Sequence, residues 1–289
     1  MITLTLNRHT YNIPSKWEEC DAATFSRLSR AMWNFELGHT DFDAFKVEIV
    51  AACLGVDIPS TRLTDFLGVN FFTLSELLTF PYTLHNNPDG SQTAYIDVVM
   101  QKNLYPQVGR IDGYRYDTDA AGVIDSTLTA AQYTSGISLL NLQSSYIRSY
   151  REDLALQLLD TLMRLLYNGK SGVSVDEMIA VMYNFRGITE SIRRDTSYDL
   201  IFRRADHKTE PSPVGSNSGI FALTKAGYGD FDAVSKMDVH TFLSAMVQQT
   251  VDSIHTLQGS GMKPGKIAQK LNLDVEQVIP FTSVPVEEE

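Results

Sequence analysis

Catalysis needs nucleophiles, bases or metal ligands at spacings that bring them together. This chain of 289 residues has two cysteines, Cys20 and Cys53, and six histidines, His9, His39, His85, His207, His240 and His255. No two histidines stand at the i, i+4 spacing that places two metal ligands on one helical face. Neither cysteine has a nearby partner that would lower its pKa, and no serine sits in a nucleophile elbow. The stretch "NGKSG" (Asn168 to Gly172) ends like a phosphate-binding loop. That loop needs a glycine where Arg164 stands and a strand before it, whereas a helical pattern precedes it here. In "DTDAAG" (Asp117 to Gly122) the acids alternate as in a calcium loop, but Ala121 occupies an oxygen-ligand position and Leu128 the place of the closing glutamate. It reads as an aspartate-rich turn. The expectation is a protein that is not an enzyme, with no cofactor, no metal and no small-molecule substrate.

What remains is charge. With 24 basic and 35 acidic residues the formal charge is −11, so the surface repels duplex DNA and anionic lipid except where positive charge is concentrated. The densest such place is "RRDTSYDLIFRR", with Arg193, Arg194, Arg203 and Arg204. In one continuous helix, eleven residues at about 100° each come close to three whole turns, which puts Arg193 and Arg204 on one face. These four arginines are the candidate partner-binding residues, facing an acidic partner or an acidic face of another copy. The plainer reading is a solvated face neutralised by Asp195, Asp199 and Asp206. A second candidate, "KIAQKLNLDVEQV" (Lys266 to Val278), has the packing positions of a helix-turn-helix. Its second helix offers Asp274 and Glu276 and is cut by Pro280, where a DNA reader needs basic or polar side chains. A small helical corner is expected, and no nucleic acid partner.

The elements that must position these residues follow from periodicity. "ITLTL" (Ile2 to Leu6) alternates with period two, and after a turn "YNI" returns, which predicts a β-hairpin closed by Trp17 over the following helix. Asp21 caps that helix, whose inner face carries Phe25, Leu28 and Met32. A second helix, Asp43 to Leu54, places Phe45, Ile49 and Cys53 together and stops at Gly55, and shorter helices are predicted near Thr61 to Leu67 and Leu74 to Leu78. Residues 81–122 are rich in Asn, Pro, Gly, Asp and Tyr, with a turn at "NNPDG", and read as a small antiparallel β insert or arm. Helical pattern resumes at Ser126. In "DLALQLLDTLMRLLY" the polar residues form only a narrow stripe, which predicts a central helix covered on most sides with Leu158, Leu159, Leu162 and Leu166 buried. Asn168-Gly169 reads as its C-terminal cap, "SVDE" (Ser174 to Glu177) as the capping box of another helix, and that helix is predicted to run to about Ala205. "HKTEPSPVGSNSG" (His207 to Gly219) reads as a linker. Beyond it Val239, Phe242, Leu243, Met246, Thr250 and Ile254 mark an amphipathic helix begun by Asp238.

The expected fold is therefore mainly α, a helical protein with an N-terminal β-hairpin and a small central β insert. Its parts are a hairpin with a helical unit (1–80), the β insert (81–122), a central helical core (123–206), a linker (207–219) and a C-terminal helical segment with an acidic tail (220–289). The opening "MITLTLNRHT" lacks the basic start and apolar stretch of a signal peptide, and no apolar run reaches membrane-spanning length. The two lone cysteines suit a reducing cytoplasm. A soluble cytoplasmic protein is expected.

Several stretches together resemble a known class. "YNIPSKWEECDAATFSRL" is similar to the opening of small tail-module proteins encoded by tailed bacteriophages, an extended segment, then Pro, Trp and acids, then a helix. "STLTAAQYTSGISLL" with the helix ending in "LLYNG", then "MYNFRGITESIRRDTSYDLIF" and "GIFALTKAGYGDFDAVSKMDVHTFLSAM", resemble later blocks of such proteins. The patches cover about two-thirds of the chain, and none is catalytic. The named class they most resemble is the tail assembly chaperone. That resemblance implies a helical protein of the host cytoplasm that holds the tape-measure protein or tail-tube subunits during virion morphogenesis. The greater length and the 81–122 insert depart from the class and leave room for a structural virion component of the tail or neck. A helix-turn-helix DNA-binding regulator, resting on Lys266 to Val278 alone, is the third reading.

Overall fold

The computed structural model describes residues 1–6, 9–56, 74–169, 173–202 and 217–282. It is mainly α-helical, with antiparallel two-stranded ladders as its only sheets among these residues. The expected fold class is the observed one. Two units emerge, the first made of Met1–Asp125 and Gly136–Glu190, the second of Ser126–Ser135 and Ser191–Glu289.

In the first unit, β1 (Ile2–Leu6) and β2 (His9–Ile13) pair antiparallel with Ile2 opposite Ile13. Pro14, which has no N–H to give, follows the ladder. Trp17 is buried in a 3-10 turn, edge-on to Phe25 at 5.6 Å and to Phe80 at 4.8 Å, and its Nε1 donates to the Asp97 carbonyl at 3.0 Å. Helix α1 (Ala22–Glu36) begins where Asp21 accepts from the Thr24 amide at 2.7 Å, and Phe25, Leu28 and Met32 are buried along it. Helix α2 (Phe42–Leu54) is capped by Asp41 and ends at Gly55, whose φ of 71° is the left-handed conformation glycine adopts without strain. Phe45, Ile49 and Cys53 are buried on it as their spacing predicts. The helix expected near Thr61 to Leu67 falls outside the described residues. Leu74 and Leu78 are buried.

The β insert consists of separate hairpins. Strands β3 (Tyr82–Asn86) and β4 (Gln92–Ile96) are joined by the "NNPDG" turn, in which the Asn87 amide donates to the Ser91 carbonyl at 2.8 Å and Gly90 has a φ of 82°. Next come β5 (Gln107–Val108) with β6 (Ile111–Asp112), and β7 (Tyr116–Thr118) with β8 (Ile124–Ser126). Between the last two, Asp119 Oδ1 accepts from the amides of Ala121 and Val123, both at 2.8 Å. The carboxylate is spent on the turn itself, which is the aspartate-turn reading of "DTDAAG".

Helix α3 (Ala130–Arg148) starts four residues later than Ser126, because Thr129 and Gln132 form a reciprocal cap ahead of it. Helix α4 (Glu152–Leu166) corrects one expectation. It buries a single face, Ala155, Leu159, Leu162, Met163 and Leu166, while Leu158 is only half-buried. Gln157, Thr161 and Arg164 face solvent, and Arg164 pairs with Asp160 at 2.7 Å. The apolar residues exceed the covered face, so composition overstated the cover. The expected C-cap is present, with Asn168 and Gly169 at φ 55° and 79° and the Gly169 amide donating to the Arg164 carbonyl at 2.7 Å. Lys170 to Gly172 lie outside the described residues. Helix α5 (Val175–Arg194) opens on the predicted capping box, the Ser174 amide donating to Glu177 Oε2 at 3.0 Å and the Glu177 amide to Ser174 Oγ at 3.3 Å.

That helix does not run on to Ala205. It stops at Arg194; Asp195 is extended (φ −70°, ψ 118°) and its side chain accepts from the Ser197 amide at 2.9 Å. A 3-10 turn, Thr196–Tyr198, leads into the four-residue α6 (Asp199–Phe202).

The rest of the second unit is α7 (Ser218–Lys225), α8 (Phe231–Ser235), α9 (Val239–Gly259), α10 (Pro264–Leu271) and α11 (Val275–Val278). Most of the expected linker, residues 207–216, lies outside the described residues. Asp238 caps α9, which buries Val239, Phe242, Leu243 and Ile254 and half-buries Met246 and Thr250. Ile254, Ile267, Ala268, Leu273 and Val278 form one apolar cluster, and Asn272 turns the chain between α10 and α11 with a φ of 56°. Lys266 to Val278 is thus a helical corner whose second helix is one turn long. No helix among the described residues is long and apolar enough to cross a membrane.

Candidate functional site

Of the predicted arginines, Arg193 and Arg194 stand exposed at the C-terminal end of α5, where positive charge complements the helix dipole. Arg203 and Arg204 lie outside the described residues. The shared face inferred for Arg193 and Arg204 required an unbroken helix, and the chain leaves helical geometry at Asp195 between them. The structure therefore presents a neighbouring pair at a helix terminus in place of a stripe.

The thiols are poor nucleophiles. Cys20 and Cys53 are both buried and free, and burial pushes each thiol up to about 12. His39 Nε2 lies 3.4 Å from Glu152 Oε2 at an exposed position, and His240 Nδ1 meets the Tyr198 hydroxyl at 2.8 Å. Burial lowers the His240 pKa, so the neutral ring is favoured, and burial likewise raises that of Tyr198. Asp238 spends its Oδ1 on the His240 backbone amide at 2.9 Å, as the cap of α9, and does not orient the ring. The pair stitches the 3-10 turn to α9 and has no nucleophile–base–orienter order. Among the described residues, no group of three or more His, Cys, Asp or Glu is placed to hold a metal ion.

Two features escaped sequence reasoning. In the first unit Glu36 accepts from the Tyr183 hydroxyl at 2.7 Å and from Arg186 Nη1 at 2.8 Å, with the Arg186 guanidinium 5.8 Å from the Tyr183 ring. Tyr183 is buried and its hydroxyl pKa lies well above the ordinary value, chiefly through burial. Tyr183 and Arg186 at i, i+3 on one helical face were visible; their partner about 150 residues away was not. In the second unit an apolar surface lies open. Phe221 is 51% exposed, Phe231 36% and Tyr228 37%, and the two phenylalanine rings pack at 5.1 Å. Tyr228 also borders a cavity of about 630 Å³ with Leu257, Leu271, Asp252 and Lys270 on its walls. The three aromatics sit at the α7–α8 corner because Gly227 and Gly229, at φ 88° and 142°, turn the chain there.

Comparison with protein-family models, with curated proteins and with solved structures finds no match to this chain.

Proposed function

We propose that this protein is a non-enzymatic assembly chaperone of phage tail morphogenesis that holds tape-measure or tail-tube subunits in the host cytoplasm. The observation that carries the reading is the exposed aromatic surface of Phe221, Tyr228 and Phe231. Open clustered aromatics mark a surface that binds another protein. A formal charge of −11 keeps a complex with an apolar client dispersed. The thiols are buried, and His240 with Tyr198 serves packing. The family resemblance in the helical blocks supplies the client class.

The test is co-expression with a tape-measure protein. The client should stay in the soluble fraction only when this chain is present, and Phe221→Ser with Phe231→Ser should return most of it to the pellet. Purified particles should lack the chain. Its recovery from particles at stoichiometric copy number would replace the chaperone reading with the structural virion component.

A further inference from the structure

A second surface, in the first unit, has chemistry of its own. A cavity of about 580 Å³ lies between α1, β4, α3 and α5. That is within the range of sites that seat a ligand or a peptide segment. Phe35 and Ile147 supply apolar wall, and three consecutive residues of β4, Ala94, Tyr95 and Ile96, form one side. Neighbouring side chains of a strand point to opposite faces. The Asn87 amide donates to the Ser91 carbonyl and the Asp97 amide to the Pro81 carbonyl, so by antiparallel alternation the backbone groups of Ala94 and Ile96 point away from β3. β4 pairs only with β3 among the described residues, so its other edge carries unpaired backbone donors and acceptors.

The charged groups on the cavity wall are Glu36, Arg148 and Arg186. Two arginines to one glutamate make this a positive site in a chain of formal charge −11. Arg186 is anchored by Nη1 on Glu36 at 2.8 Å, which fixes its guanidinium on the cavity wall, and Glu190 on the same helix also acts on it by charge. Arg148 is exposed at the end of α3 and makes no ion pair among the described residues. Tyr95, 54% exposed, stands at the rim.

We propose that this groove receives an extended acidic segment of a partner protein, added as a strand along the free edge of β4, with its carboxylates held by Arg148 and Arg186. The backbone edge provides affinity for any extended peptide, and the arginines select the acidic one. This site is independent of the tail-assembly reading, since it requires only a partner carrying such a segment.

Three synthetic octapeptides test it on the full chain by fluorescence anisotropy. One alternates glutamate with valine and phenylalanine; the second has glutamine for glutamate; the third is the glutamate peptide with alternate backbone amides N-methylated. The glutamate peptide should bind about tenfold tighter than the glutamine peptide at low salt, and the gap should shrink at high salt. N-methylation should abolish binding, and Arg148→Glu should weaken the glutamate peptide about tenfold. Because Arg186 also supports the fold, amide NMR shifts at Ala94 to Ile96 serve as the second readout. Equal binding of the acidic and neutral peptides, survival of binding after N-methylation, or no detectable binding at about 1 mM each overturns the proposal.

Discussion

Glu48 carries the clearest pH signature. It is half-buried on α2, beside Arg30 and Asn34, and its Oε2 is out of reach of water with no hydrogen-bond partner. Burial pushes its carboxyl up from 4.5 to about 7, against the hydrogen bond from Asn34 and the attraction of Arg30. A raised folded pKa means that the folded state binds the proton more tightly than the unfolded chain does. The stability linked to Glu48 is then fully present below pH 4.5 and is lost as pH rises through 7. Glu48→Gln should raise stability by about 1 kcal/mol at pH 8, a figure reduced for solvent screening, and change little at pH 4. Urea melts at the two pH values check this, and an equal effect at both would show that Glu48 does not titrate in this range. Nothing in "FKVEIVAACL" distinguishes Glu48 from a solvated glutamate. Its burial comes from α1 packing across α2, a contact between segments whose patterns are separately legible and whose docking is not.

At the scale of the element, α4 and α5 set the packing tests. Leu162 is 2% exposed, and Leu162→Ala should cost about 2–5 kcal/mol. Leu158→Ala, at a half-buried position, should cost about 1 kcal/mol. Equal losses in urea melts would return α4 to a helix covered on most sides. Gly136 on α3 lies against Phe185 of α5, where an added Cβ would sit 2.5 Å from the ring. Gly136→Ala should destabilise by about 1–3 kcal/mol although alanine is the better helix former. Helix starts and stops were legible wherever both partners are local. Asp21 with Thr24, Ser174 with Glu177, and Gly55 at a left-handed terminus need only a few residues of chain. The break at Asp195 was legible in principle, since Asp-Thr-Ser can bond its own backbone. The apolar spacing carried across it and masked the local signal. The Glu36–Arg186 pair and the bond from Trp17 to Asp97 span 150 and 80 residues, and no local pattern encodes them. The aromatic corner was hidden for another reason. Phe221, Tyr228 and Phe231 have the residue types of a core, and only the fold reveals that they stay outside.

For the molecule as a whole, net charge and exposed apolar surface make opposite demands on an assembly, and salt separates them. If a client is held by Phe221, Tyr228 and Phe231, raising salt from about 50 mM to about 500 mM screens charge without weakening the contact, because apolar burial does not depend on Coulomb attraction. If the arginines at the end of α5 hold it, the same change releases it. Arg193 and Arg194 are exposed in the last turn of α5, so Arg193→Glu with Arg194→Glu, which puts negative charge at the negative end of the helix dipole, should cost about 1–2 kcal/mol and leave the chain folded. The aromatic surface predicts that a client captured at low salt stays bound at high salt, that Phe221→Ser with Phe231→Ser releases it at both, and that the arginine variant retains it. Release by salt alone, together with loss of capture in the arginine variant, would move the holding surface from the α7–α8 corner to the terminus of α5. The chain would then bind an acidic partner through charge, with the aromatic corner left to pack against something other than the client.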